Sequence, residues 1–249
     1  MKRIGKAKIF FDTESTSVSK DADIISIGLV AEYYECIDRE ENIEHLSEEE
    51  NPFGSKIRQI TEGNFLTKFF YAEFTDFDIN KCDDWVKKNI VETLPDKQPR
   101  ILDIESKDVF IFGDTNFVST ILKQWLSQFN GVEFWCDFGV TDTPFLIDLI
   151  ADWDLQSLPK IEERRGSWIH GSKQHKIGLP KHLPNVKYYD FYDIHSVLKW
   201  KGIDPDINRE EFVKEYLYKL PEFILKLKIH NSLYDSYINY LVYNKLKQI

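Results

Sequence analysis

The chain has 249 residues, of which 32 are Lys or Arg and 42 are Asp or Glu, so its formal net charge is −10. Hydrophobic residues make up 42% of the chain, which is enough for a buried core and excludes a wholly disordered protein. No stretch reaches the roughly 20 apolar residues of a membrane span, and the N-terminus lacks the apolar centre of a secretion signal. The negative charge argues against a protein that holds nucleic acid by bulk attraction alone.

The first third of the chain predicts a sheet. The apolar runs at residues 7–12 and 23–34 are separated by a short polar loop, which favours an antiparallel hairpin. Residues 32–55 carry nine acids and one arginine, a composition typical of a solvated loop. A third strand is predicted at 68–74, and an amphipathic helix at 82–94 that ends near Pro95.

The middle of the chain alternates between helix and strand. Apolar residues at helical spacing predict a helix over 116–130, with Gly131 as its left-handed cap. A strand at 132–136 follows, and then a helix that starts at Thr143 with Pro144 in its first turn. Such alternation predicts a parallel crossover between strands. The predicted fold class is therefore α/β. We expect one domain, with a mixed sheet flanked by helices.

The last third begins with a basic segment, 160–187, that has seven Lys or Arg and two Glu. It also contains His170, His175 and His182. A zinc site is possible, but no cysteine joins these histidines, so a basic loop near nucleic acid is the favoured interpretation. Trp168 in this segment could stack on a base or anchor local packing. A short strand, a short helix at 196–200 and a long C-terminal helix complete the predicted elements.

The cysteines indicate a compartment. Cys36, Cys82 and Cys136 are odd in number and form no CxxC pair, so neither a disulfide framework nor a zinc ribbon is indicated. We expect reduced thiols in a cytoplasmic protein.

Acidic residues stand out at three places, and one of them, Asp142, follows a strand at the end where open α/β sheets place their chemistry. In the DTE tripeptide, Asp12 and Glu14 are two residues apart in a strand and so point to the same face, with Thr13 turned away. Asp142 follows a strand and could be a metal ligand or a helix N-cap. His230 and Asp235 are predicted early in the last helix, about 140° apart around its axis.

Taken together, these residues predict a site for divalent cations. Adjacent carboxylates are costly without a cation between them, and four carboxylates suit two divalent cations that clamp a phosphodiester. A histidine that titrates near neutrality suits the role of general base. Each motif alone has an ordinary structural explanation, and the prediction rests on their order and context.

The three motifs resemble those of the DEDDh 3′–5′ exonucleases of the ribonuclease H-like superfamily. FFDTEST is similar to the family's first motif, EFWCDFGVTDTPFL to the second and HNSLYDSYINY to the third. Segments such as KFFYAEFTDFD and KGIDPDINREEF resemble a small bacterial and phage branch of exoribonucleases, and the resemblance covers most of the chain. The sister subgroup has a tyrosine four residues before the last acid, where this chain has Asn231.

The resemblance implies a ribonuclease H-like sheet, with Asp12, Glu14, Asp142 and Asp235 as ligands of two Mg²⁺ or Mn²⁺ ions and His230 as the base. It implies single-stranded or 3′-overhang nucleic acid as the partner, with RNA favoured, release of nucleoside 5′-monophosphates, and a homodimer. The alternatives are a DNA exonuclease and an inactive nucleic-acid-binding protein.

The chain departs from the family at two places. Residues 32–66 look like an insertion between the second and third strands. Thr141 stands where an aromatic residue often precedes the second-motif acid. Asp137 lies close to that motif, but Asp142 is the preferred ligand because TPFL follows it.

Overall fold

The computed structural model describes residues 4–19, 21–34, 65–94, 108–137, 139–150, 189–227 and 229–249. In these ranges, six strands form one mixed sheet in the order β4-β3-β2-β1-β5-β6. The strands are β1 (Ile4–Ser15), β2 (Ile24–Tyr34), β3 (Phe65–Phe74), β4 (Val109–Gly113), β5 (Phe129–Cys136) and β6 (Tyr189–Asp193). The helices are α1 (Asp84–Asn89), α2 (Thr115–Leu126), α3 (Gly139–Ile150), α4 (Ile194–Trp200), α5 (Arg209–Val213), α6 (Glu222–Leu225) and α7 (Ser232–Leu246). Short 3₁₀ turns are found at Ile79–Lys81, Val91–Thr93 and Lys214–Lys219.

The topology confirms the predicted fold class and is compatible with a ribonuclease H-like arrangement. Strands β1, β2 and β3 form an antiparallel meander, whereas β5, β6 and β4 join it through parallel pairings. None of the helices in the described part of the chain is both long and apolar enough to cross a membrane.

The sheet separates two hydrophobic layers, because successive side chains of a strand point to opposite faces. On β1, Ile9 and Phe11 face one layer with α2 and α3. Phe10, between them, faces the other layer with α4 and α7. Its ring lies 5.4 Å from that of Tyr240 and 5.1 Å from that of Tyr243, both on α7. This alternation decides toward which helix each later residue of β1 points.

Several predicted boundaries are wrong. Helix α2 ends at Leu126 and not near residue 130, because Phe129 already begins β5 with its side chain buried. Gly131 is therefore not a helix cap: it lies inside β5, opposite Lys6 of β1. Helix α1 has six residues and is followed by a 3₁₀ turn, so the predicted helix over 82–94 is too long.

Two further corrections concern the ends of predicted segments. Helix α3 begins at Gly139, four residues before the predicted start, so Pro144 lies inside it and removes one helical hydrogen bond. Of the predicted insertion, residues 32–34 belong to β2 and residues 65 and 66 to β3. Glu32, predicted in the acidic loop, is buried. The rest of the insertion and the basic segment 160–187 lie outside the described residues.

Candidate active site

The site lies where β1 continues past the end of its neighbour. β1 pairs with β5 only as far as Phe10, opposite Trp135, whereas its pairing with β2 continues to Ser15. Asp12 and Glu14 therefore have a strand on one side and an opening on the other. The predicted strand ended at Asp12; the observed one runs three residues further and includes both acids.

Asp12 and Glu14 point to the face of Phe10, as the two-residue period predicts. That face carries α7, whose first turn packs directly on β2 at Gly28, the cross-strand partner of Asp12. The Ser236 hydroxyl donates to the Gly28 carbonyl at 2.7 Å. Helix α7 is thus held against the strand opposite the first acid, which brings Asp235 of its first turn to the same place.

Thr13 points to the opposite face, toward α3, and there it contacts the third acid. Its hydroxyl donates to Asp142 Oδ1 at 2.6 Å and its backbone N–H donates to the same oxygen at 3.3 Å. Asp142 is buried in the first turn of α3 and is not its N-cap. The prediction that Thr13 points away from Asp12 and Glu14 is confirmed. Its hydrogen bonds to Asp142 were not predicted.

His230 is not part of the last helix, so the predicted angle of 140° does not apply. The helix N-cap is Asn231, whose side chain accepts from the N–H groups of Leu233 and Tyr234. His230 precedes it in a left-handed conformation with φ 67°, and its backbone N–H donates to Asp235 Oδ2 at 3.0 Å. One ligand atom each of Glu14, His230 and Asp235 lie within 4.8 Å of one another.

The four carboxyl groups strongly affect one another. Loss of hydration, followed by the charges of Asp142, Asp235 and Glu14, raises the pKa of Asp12 well above its usual range. Loss of hydration and the other acids raise the pKa of Glu14 to about 9. The pKa values of Asp142 and Asp235 rise to about 7, mainly through loss of hydration, although hydrogen bonds from Thr13 and His230 lower them.

This donor set fits divalent cations. Four carboxylates supply only oxygen ligands, which Mg²⁺ and Mn²⁺ prefer. Two such cations would cancel the four negative charges that otherwise repel one another. Asp12, Glu14, Asp142 and Asp235 are the residues that would hold them.

Asp137 lies near the cluster, but it forms a salt bridge with Arg209. The guanidinium of Arg209 on α5 donates from Nε and Nη2 to the two oxygens of Asp137, at 2.7 and 2.8 Å. The carbonyls of Ile207 and Pro205 hold the same guanidinium. Asp137 is thus part of an ion pair, and this supports the preference for Asp142 as the ligand.

An aromatic side chain borders the site. The ring of Trp85, on α1, lies 4.9 Å from the His230 ring in an edge-to-face arrangement, and 51% of its surface is exposed. From the sequence, Trp85 was predicted only as part of the helix over 82–94, with no role in the site. His170, His175, His182 and Trp168 lie outside the described residues.

The raised pKa values predict that the folding stability of the metal-free protein falls as the pH rises. The unfolded chain releases these protons near pH 4, whereas the folded protein holds them to about pH 7 for Asp142 and Asp235 and about pH 9 for Glu14. The stability that these groups contribute is therefore fully present below pH 4 and is lost as pH rises through the folded values.

We expect the free energy of unfolding in EDTA, measured by urea denaturation, to fall between pH 6 and pH 9. Mg²⁺ should stabilise the protein more at pH 9 than at pH 6, because the cation and the protons compete for the same carboxylates. A free energy that stays flat or rises over this range would contradict the electrostatic picture of the cluster.

No protein-family model matches this sequence, and a comparison with curated proteins found no match.

Proposed function

We propose that this chain is a metal-dependent 3′–5′ exonuclease that releases nucleoside 5′-monophosphates, with RNA as the favoured substrate. The observation that carries the proposal is the convergence of four carboxylates and one imidazole from β1, α3 and the start of α7. Divalent cations would neutralise the negative charge of these carboxylates when they are ionised. The order and context of the three motifs, and their resemblance to DEDDh exonucleases, point to the same chemistry.

In the proposed reaction, Asp12, Glu14, Asp142 and Asp235 would hold two Mg²⁺ or Mn²⁺ ions. The cations would supply positive charge for the scissile phosphate, a lower pKa of the attacking water and stabilisation of the leaving 3′ oxygen. The imidazole of His230 accepts the proton of the attacking water on a ring nitrogen. Asp235 accepts the backbone N–H of His230, which keeps that ring near the carboxylates, and Thr13 orients Asp142.

The direct test is incubation of 5′-labelled RNA and DNA oligomers of one sequence with Mg²⁺ or Mn²⁺. We expect a ladder of RNA products shortened from the 3′ end, its loss in EDTA, and slower shortening of DNA. A circular RNA of the same sequence is the matched control, since it offers no 3′ end and should stay intact.

The outcomes separate the alternatives. Faster cleavage of DNA would favour the DNA exonuclease and overturn the RNA preference. Binding of the oligomers without shortening would favour the inactive nucleic-acid-binding protein and overturn the enzyme. Cleavage of the circle would show an endonuclease. The homodimer stays a prediction, which light scattering of the purified protein tests.

Thr13→Val should weaken metal-dependent hydrolysis. Valine keeps the shape of threonine but removes the hydroxyl that donates to Asp142 at 2.6 Å, and a hydrogen bond to a charged group contributes about 2 kcal/mol. We expect the apparent Mg²⁺ affinity, measured by titrating the hydrolysis rate, to fall by about thirtyfold. Thr13→Ser retains a hydroxyl and should stay close to the wild type; equal loss in both variants would contradict the role of this bond.

A further inference from the structure

The backbone conformation of His230 needs support from its surroundings. Its φ of 67° is in the left-handed region, which costs a non-glycine residue on the order of 1 kcal/mol or more and persists only where neighbouring contacts enforce it. Its own N–H is held by Asp235. Its ring contacts Trp85, and the next residue, Asn231, makes further hydrogen bonds at the turn.

Asn231 connects the turn to the interior of the sheet. Its side-chain N–H donates to the Tyr71 hydroxyl of β3 at 3.0 Å, and its side-chain oxygen accepts the N–H of Leu233 at 3.1 Å. Tyr71 in turn donates to Glu73 Oε1 at 3.1 Å. Asn231, Tyr71 and Glu73 are all at most 5% exposed.

The donors and acceptors in this chain of hydrogen bonds allow one arrangement. Tyr71 donates its single proton to Glu73 Oε1, so a lone pair of the Tyr71 hydroxyl must face a donor. That donor is the amide nitrogen of Asn231, which leaves its oxygen for the helix N–H groups. The Asn231 side chain is therefore held by the N–H groups of its own helix and also by Tyr71 on β3, 160 positions away in sequence.

We propose that Tyr71 is a positioning residue for the base: held by Glu73, it fixes Asn231 and thereby the left-handed turn that presents His230 to the carboxylates. The proposal rests on the proposed function, because it takes His230 as the proton acceptor. Tyr71 does not itself act on the substrate, so its effect is on turnover and not on substrate binding.

Tyr71→Phe tests the proposal, with Tyr237→Phe as the matched control. Tyr237 is equally buried, packs in the same layer, and donates its hydroxyl to the Lys219 carbonyl at 3.1 Å. Tyr71→Phe loses the bond to Glu73 and the bond from Asn231, whereas Tyr237→Phe loses the bond to Lys219. Both variants remove a buried tyrosine hydroxyl, but only Tyr71 is connected to His230. We expect Tyr71→Phe to lower kcat by about tenfold with KM nearly unchanged, and Tyr237→Phe to change neither.

A second measurement does not depend on activity. The imidazole resonances of His230, assigned from their absence in His230→Gln, should shift in Tyr71→Phe and stay in place in Tyr237→Phe. Equal kcat values and equal histidine resonances in the two tyrosine variants would overturn the proposal. If the wild type hydrolysed no nucleic acid, the proposed function would fail, while the resonances would still show whether Tyr71 positions the ring.

Asn231→Ser keeps the test decisive if Tyr71→Phe does not fold. Serine caps a helix about as well as asparagine, but it lacks the amide N–H that contacts Tyr71. It should reproduce the loss of kcat and the shift of the His230 resonances. A folded Asn231→Ser with wild-type kcat and resonances would also overturn the proposal.

Discussion

Asp12→Asn is expected to abolish metal-dependent hydrolysis while making the metal-free protein more stable. The carboxylate of Asp12 lies among those of Glu14, Asp142 and Asp235, whose charges raise its pKa, and an amide cannot replace it as an anionic ligand. Loss of several kcal/mol of charge stabilisation in the transition state corresponds to a rate lower by about a thousandfold or more. In EDTA, the same substitution removes like-charge repulsion, so the free energy of unfolding at pH 9 should rise.

The control for Asp12→Asn is the same change at Asp137. Asp137 lies near the cluster, but Arg209 binds both of its oxygens. Asp137→Asn should lower stability by weakening this ion pair and should keep the rate within about tenfold of the wild type, because the ligand set is intact. Hydrolysis by Asp12→Asn at a rate similar to that of Asp137→Asn would exclude Asp12 from the site.

Gly28→Ala is expected to displace the helix that carries Asp235 and directly follows the turn of His230. A Cβ at Gly28 would lie 2.3 Å from the backbone nitrogen of Leu233 and 2.4 Å from the carbonyl carbon of Ser232. These are backbone atoms in the first turn of α7, so no side-chain rotation can relieve the clash. Overpacking of this kind costs about 1–3 kcal/mol and sometimes more, and movement of the turn would also break the Ser236 contact with the Gly28 carbonyl.

We therefore expect Gly28→Ala to lower the free energy of unfolding by about 3 kcal/mol and to reduce hydrolysis strongly in the fraction that remains folded. Urea denaturation and the oligomer assay measure the two effects. Gly139→Ala is the control, because its Cβ would meet the nearest atoms, Cys136 Sγ and Thr143 Oγ1, at an ordinary 3.4 Å. Equal stability of the two variants would show that α7 does not depend on close approach to β2.

The features that were predicted correctly from the sequence have local causes. Asp12 and Glu14 share a face because of the two-residue period of a strand, and α7 was recognised from its length and spacing. The start of α7 could also have been predicted, because asparagine before an apolar run is a common N-cap. With Asn231 as the N-cap, His230 would have been predicted outside the helix. Strand β4 was missed, although VFIFG is a short apolar run.

The features that were missed depend on contacts between distant parts of the chain. The bond between Thr13 and Asp142 joins residues 129 positions apart, and no local pattern marks a threonine that will meet an acid on another helix. Gly28 resembles any glycine within a strand until α7 is placed on it. The prediction for Gly131 was wrong because it relied on a local pattern alone. A glycine after a helical pattern suggested a cap, but this glycine lies within β5 and pairs with Lys6 of β1.

The way β1 is paired has a consequence for how the site opens. Asp12 and Glu14 belong to β1, which stays paired with β2 at both residues, and strands of the core open at far higher free energy than turns. His230 lies in a turn outside any strand or helix, and such turns open locally at far lower free energy. Fluctuations of the native state can therefore withdraw His230 while the carboxylates on β1 keep their places. In the proposed reaction, cation binding would then outlast proton transfer.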